Sequence, residues 1–217
     1  MEKYFRKFTL MDLIVLAMMA ALGIAIKSII NPLIHIVTGP LFIPGGSVAG
    51  GFYMLFVVLG AALVRKPFSA TLICVVQAIM VTVTGVLGSH GIMSFITYTA
   101  PGIGVDLLFF LLGRYRFSRG GFLAAGMVAN VTGSLMVNLV FFRLPFLPLA
   151  LVLALASLSG GIGGMVACAL MRRMEKIFPA LAYDADADLD LRETVAVDLP
   201  VSADDMLPEM KLQRKGI

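Results

Sequence analysis

Long apolar runs separated by short polar breaks dominate this 217-residue chain. A helix that crosses a bilayer needs about 20 mostly apolar residues, because the hydrocarbon core is about 30 Å thick and each residue rises about 1.5 Å. Six runs meet that need, near residues 10–30, 47–64, 68–87, 92–112, 121–141 and 147–171. They predict an all-α integral membrane protein, with six transmembrane helices in a single bundle. Ser47, with Gly45-Gly46 before it, is the expected cap of the second helix. Ala100-Pro101-Gly102 predicts a kink in the fourth helix, or a helix that starts near Pro101. After residue 178 the pattern changes. Asp184, Asp186, Asp188 and Asp190 alternate with small residues, and scattered charges and prolines follow. The alternation shares the spacing of half a calcium loop but lacks the turn glycine and a well-placed closing glutamate. The chain therefore divides into a transmembrane domain over 1–178 and an acidic tail over 179–217, expected to be disordered.

Composition agrees with that pattern. Of all residues 59% are hydrophobic and 14% charged, against roughly 25% charged in an ordinary soluble domain. Residues 1–178 hold only Glu2, Asp12, Asp106 and Glu175 as acids, too few charges to coat a water-soluble fold. The bases are placed as topology signals. Lys3, Arg6, Lys7, Arg65, Lys66, Arg114, Arg116, Arg119, Arg172, Arg173 and Lys176 fall on one side of the predicted bundle, and Arg143 alone lies in the loops on the other. The positive-inside rule then puts both termini in the cytoplasm. The first run continues past residue 20 without a small-x-small cleavage site, which predicts a retained first span. Because the bases are dispersed, the basic pI of 9.2 gives no reason to expect nucleic acid as a partner.

Polar and small residues inside the runs carry the candidate chemistry. Ala17, Ala21 and Ala25 line one face of the first helix, a spacing that lets a partner helix approach closely in lipid. Ala156, Gly160, Gly164 and Cys168 line the sixth in the same way, where packing inside the bundle is the expectation. Lys27 and Asp106 are the ionisable groups well inside a span. With the first helix ending near residue 30, Lys27 lies close enough to the outer surface to snorkel as an interface anchor. Asp106, about 12 Å from Arg114, is either protonated and hydrogen-bonded or faces a wet site. Gln77, Thr82, Thr84, Tyr98, Asn130 and Asn138 stand at similar or shallower depth, and they suggest a polar pocket open to the outside. The uncharged segment Asn31–Ser47 reads as a lid over that pocket. Gln77, His90, Tyr98, Asp106 and Asn130 are the candidate substrate-binding residues.

Enzyme chemistry finds little footing. No sequence frame for a serine protease surrounds Ser134 with His90 or His35, and one mid-membrane acid is too few for metal catalysis. Cys74 and Cys168 lie in apolar runs as small buried hydrophobes. No catalytic residue, cofactor or metal site is expected. There is no phosphate-cradling loop followed by lysine, so any ATP hydrolysis falls to another subunit.

Several segments together resemble a known family: Gly39-Pro40 with Pro44-Gly45-Gly46, Arg65-Lys66-Pro67, Gly88-Ser89-His90-Gly91 and Tyr98-Thr99-Ala100-Pro101-Gly102, beside the Ala17/Ala21/Ala25 helix. Over about residues 9–177 the chain resembles an S component, the substrate-binding membrane subunit of energy-coupling factor (ECF) ABC transporters. Within that class it is similar to the YkoE-like group, associated with thiamine and hydroxymethylpyrimidine. The resemblance implies capture of one vitamin-like molecule from outside. It also implies docking through the alanine face on an EcfT-like transmembrane coupling subunit carried by two ABC ATPases, and release inside as ATP drives toppling. The segment Asn31–Gly46 would be the gate. A different vitamin or micronutrient, a stand-alone secondary carrier or channel, and a membrane scaffold acting through its tail remain as alternatives.

Overall fold

Thr9 and Asp12 start the first helix by satisfying each other's backbone. The Asp12 N–H donates to Thr9 Oγ1 at 3.3 Å, and the Thr9 N–H donates to Asp12 Oδ2 at 2.6 Å, a reciprocal cap for two groups a helix start leaves without partners. The structure, a computed structural model, describes residues 8–39, 45–85 and 93–177. Among these residues the regular elements are helical: α1 (Leu10–Thr38), α2 (Gly45–Val64), α3 (Ser69–Thr84), α4 (Met93–Leu112), α5 (Arg119–Val137) and α6 (Phe146–Ile177). A 3-10 turn over Gly113–Tyr115 follows α4, and a π-helical turn over Asn138–Phe142 follows α5. Five of the α-helices are long and apolar enough to cross a membrane; α3, with 16 residues, is shorter.

Four boundaries differ from the sequence reading. α1 runs on to Thr38 with Pro32 inside it, so residues 31–38 are helix and not part of a loop lid. Asn31-Pro32 looked like a stop because proline disfavours helix before it. The following Leu33-Ile34-His35-Ile36-Val37 is apolar enough to keep its backbone bonded within the helix, as lipid demands. Ser47 is not a cap, since α2 already begins at Gly45 and Ser47 is buried within it. α3 ends at Thr84, three residues before its predicted end, while α4 (Met93–Leu112) keeps its predicted bounds within a residue and passes through Pro101 without restarting there. α6 extends to Ile177, six residues beyond its predicted end.

α1 packs on α2 and α3, α4 on α3 and α5, and α2 on α5. α6 meets α2 and α5 through backbone. A Cβ on Gly126 would collide with the Gly160 carbonyl, and one on Gly163 with the Gly51 carbonyl. The predicted small face of α6 (Ala156, Gly160, Gly164, Cys168) is buried as expected. The core around Val57, Val58, Ile73, Val105 and Ala129 is sealed, while Leu22, Phe110, Phe146 and Ile162 stay exposed as a surface suited to lipid. One end of the bundle is latched by two ion pairs. Asp12 binds Lys66, and Arg65 Nη2 meets Glu175 Oε1 at 2.6 Å, joining the start of α1, the α2–α3 turn and the end of α6.

Candidate functional site

A polar cluster forms where α1, α2, α3 and α4 converge. Gly23 of α1 has no side chain, and the Gln77 amide of α3 occupies that space, its Nε2 3.4 Å from the Ala20 carbonyl. One turn further along α1, the Lys27 ammonium lies 3.9 Å from the ring centre of Tyr98 on α4 and 4.9 Å from that of Tyr53 on α2. Tyr53 is itself fixed, its hydroxyl donating to the Gly46 carbonyl at 2.8 Å. Two aromatic faces on one ammonium form a cation–π cage, worth about 2 kcal/mol per good contact when water is excluded.

Lys27 is thus turned inward and does not snorkel. The sequence estimate of its depth assumed a helix ending near residue 30. With α1 reaching Thr38, Lys27 sits about 16 Å below that end, at the rise of a regular helix.

Of the predicted site residues, Tyr98 meets Lys27, and Gln77 lies one turn of α1 away, beside Gly23 and Ala20. Asp106 lies elsewhere, at the start of α3. There its Oδ2 accepts from the Thr71 N–H at 2.7 Å and the Thr71 hydroxyl at 2.6 Å, and its Oδ1 accepts from the Ala70 N–H at 3.3 Å. The residue before α3, Phe68, is left-handed (φ 64°) and offers no side-chain cap, so α4 supplies one in trans. Negative charge at a helix N-terminus is also favoured by the helix dipole. Close approach makes this reachable: a Cβ on Gly102, one turn before Asp106, would stand 2.6 Å from the Ala70 carbonyl.

Asn130 is buried in a third place. Its Nδ2 donates to the Ser47 carbonyl of α2 at 3.0 Å and to the Ala156 carbonyl of α6 at 2.8 Å, joining three helices. Thr82 and Thr84 turn their hydroxyls back on their own helix, and Asn138 accepts from the Leu144 N–H at 3.0 Å. His90, the Gly88–Gly91 segment, residues 40–44 of the predicted gate and the tail over 179–217 lie outside the described residues. His35 is exposed on α1.

Lys27 and Tyr53 are the residues that sequence reasoning missed. An ionisable group inside a span was the available signal for Lys27; Tyr53, one aromatic among many, carried none. Among the described residues, no group of three or more His, Cys, Asp or Glu gathers as a metal site. Ala17, Ala21 and Ala25 are all exposed on α1. Two apolar grooves flank α6, one against α2 along Val48, Phe52 and Leu155, the other against α5 along Leu123 and Met127. Neither includes the Lys27 cluster.

A solved structure described as an S-component of ECF transporter superposes with a TM-score of 0.67 at 16% identity, over 90% of this chain and 100% of that one. At that identity the likeness shows the fold. Among curated proteins none matches. The model of a family described as "ABC-type cobalt transport system, permease component" matches residues 11–132, from the first turn of α1 into α5 and more than half of the chain. This multi-pass membrane chain belongs to that family of transport permease components.

Proposed function

We propose that this protein is the substrate-binding membrane subunit of an ECF-type importer in the bacterial cytoplasmic membrane. In this reading residues 1–178 form a six-span domain with both termini inside, and 179–217 an accessory cytoplasmic tail. The observation that carries the reading is the Lys27–Tyr53–Tyr98–Gln77 cluster, polar groups brought from four helices into an otherwise apolar bundle. Such groups are costly in lipid and mark ligand paths. The S-component fold supports the same reading.

The exposed Ala17/Ala21/Ala25 face is the surface proposed to dock on a transmembrane coupling subunit served by two ABC ATPases. Small residues there let a partner helix approach to backbone contact.

The proposed ligand is a thiamine- or hydroxymethylpyrimidine-like molecule. Within that pair the uncharged pyrimidine suits Lys27 better than the cationic thiazolium, because like charges repel strongly where water is scarce. The binding residues proposed are Lys27, Tyr53, Gln77 and Tyr98, with His90 as a further candidate. Asp106 and Asn130 serve better as helix-joining groups, given their bonds.

A second reading takes Co²⁺ as cargo, and the family description favours it. The described residues offer no matching donor set.

Native mass spectrometry of the purified protein tests the readings together, followed by thermal-shift titration with thiamine, hydroxymethylpyrimidine and CoCl₂. A co-purified or stabilising organic ligand supports the first reading. Stabilisation by CoCl₂ alone replaces it with the second.

A further inference from the structure

Lys27 raises a problem of charge that the protein does not solve among its described residues. The two ion pairs there are Asp12–Lys66 and Arg65–Glu175, both at the latched end of the bundle. Lys27 meets only ring faces. An ammonium this deep in a span calls for a counter-charge, and cation–π contact offsets only part of its lost hydration. Asp106, the one carboxylate in the middle of the spans, is engaged by three donors from α3 and is not available.

A second observation lies on the same two helices. Two buried side-chain polar atoms lack a hydrogen-bond partner among the described residues, Asn31 Oδ1 and Thr99 Oγ1. Asn31 is one turn from Lys27 on the same face of α1, and Thr99 follows Tyr98 on α4. Buried polar atoms are ordinarily paired, and each exception calls for a reason. The two helices that hold the Lys27–Tyr98 contact therefore also carry both orphaned atoms. An amide oxygen accepts, a threonine hydroxyl donates or accepts, and an ammonium donates.

We propose that Lys27 is the specificity-determining residue of the site, and that its ligand carries a single anionic group, a carboxylate or phosphate monoester, which sits on the Lys27 ammonium, together with an N–H or O–H donor for Asn31 Oδ1. This rests on the substrate-binding reading above and narrows its ligand: a pyrimidine enters as its phosphate monoester, or a carboxylate vitamin takes its place, and free thiamine is excluded. Only one cation is present in the cluster, so the ligand bears one such group. A ligand with two or more such groups would leave charge unmatched, and an organic cation would meet Lys27 directly.

Matched pairs of probes test the assignment on the full chain in nanodiscs, by calorimetric titration: nicotinate with nicotinamide, and hydroxymethylpyrimidine phosphate with hydroxymethylpyrimidine. Thiamine serves as the cationic probe. In at least one pair the anionic member binds ten-fold or more tightly than its neutral partner. Lys27→Met removes that advantage and Lys27→Arg keeps it, with the melting temperature of each variant confirming a folded protein. Preference within the carboxylate or the phosphate pair tells which anion is used. Tighter binding of thiamine or a neutral member, unchanged or improved by Lys27→Met, overturns the charge assignment and leaves the importer reading standing. Failure of every probe to bind overturns the assignment too. Uptake of the same compounds by cells carrying the coupling subunits then decides whether the importer reading falls with it.

Discussion

Where α2, α5 and α6 meet, backbone lies against backbone: Gly126 faces Gly160, Gly51 faces Gly163, and Asn130 reaches both neighbouring helices with one amide. Along α1 the opposite holds. Leu10, Met11, Leu22, Ile29 and Ile36 are exposed beside Ala17, Ala21 and Ala25, and the inner face carries an ammonium without a carboxylate. The first region is finished within the chain, and the second, in the reading proposed above, is finished by a ligand and a partner helix. In lipid, burial of apolar surface does not distinguish a packed helix from a solvated one, so close contact and polar pairing decide which helices are fixed. α1 buries little of its span; it is held at its start by Asp12 and Lys66 and along its inner face against α2 and α3 through Leu16, Ala20 and Ile24.

The comparison can be broken by mutation, and the largest effect belongs to the finished side. Gly126→Leu drives a side chain into the backbone of α6, which has no flexible end to yield. Folded protein recovered from detergent size-exclusion chromatography should fall to a small fraction of wild type. Overpacking of a tight core costs about 1–3 kcal/mol or more; normal recovery would show that α5 and α6 are not held at backbone distance.

Asn130→Leu keeps the volume and removes both interhelical donors. A loss near 1 kcal/mol is expected, in the range of hydrogen bonds between membrane helices, read as a lower apparent Tm with ligand affinity retained. An unchanged Tm together with lost binding would make Asn130 a ligand contact.

Asp106→Asn tests a boundary between the two regions. The substituted amide can accept only through its oxygen, so the cap on α3 weakens by about 1 kcal/mol, while affinity for any ligand stays within about three-fold, or under 0.7 kcal/mol. A ten-fold loss of affinity at constant Tm would return Asp106 to the binding site.

Ala21→Phe sits at the unfinished end of the scale. Its face is exposed, so Tm and ligand affinity should not move, while uptake through the coupling subunits is lost. Lost binding would mean that this face packs within the bundle.

Five of the predicted spans were legible because their apolar runs are long and most of the polar breaks are sharp; the run read as 68–87 holds the 16-residue α3. The buried glycine face of α6 was legible for a related reason: small residues at i, i+4 spacing fit only a close contact. Lys27 was visible as a charge inside a span but was misplaced, because Asn31-Pro32 mimics a helix end and set the wrong depth. Tyr53 left no trace in sequence. Its role comes from the angle at which α2 passes α1, which is a property of the packed bundle. Asp106 was singled out correctly as an unusual acid. Its partner, the bare start of α3, follows from the left-handed Phe68 and from the closeness of α4 at Gly102.

That cap has a consequence for how the chain is made. α3 is the shortest of the helices, and its first-turn amides are satisfied by a residue 35 positions further on. Asp106 follows the end of α3 by 22 residues, so the start of α3 keeps unpaired amides until α4 has come to lie beside it. Ribosome-arrested chains long enough to release α3 but not α4 should leave Cys74 accessible to a water-soluble cysteine reagent, and chains long enough to release both should protect it. Equal protection in both would show that α3 inserts unaided.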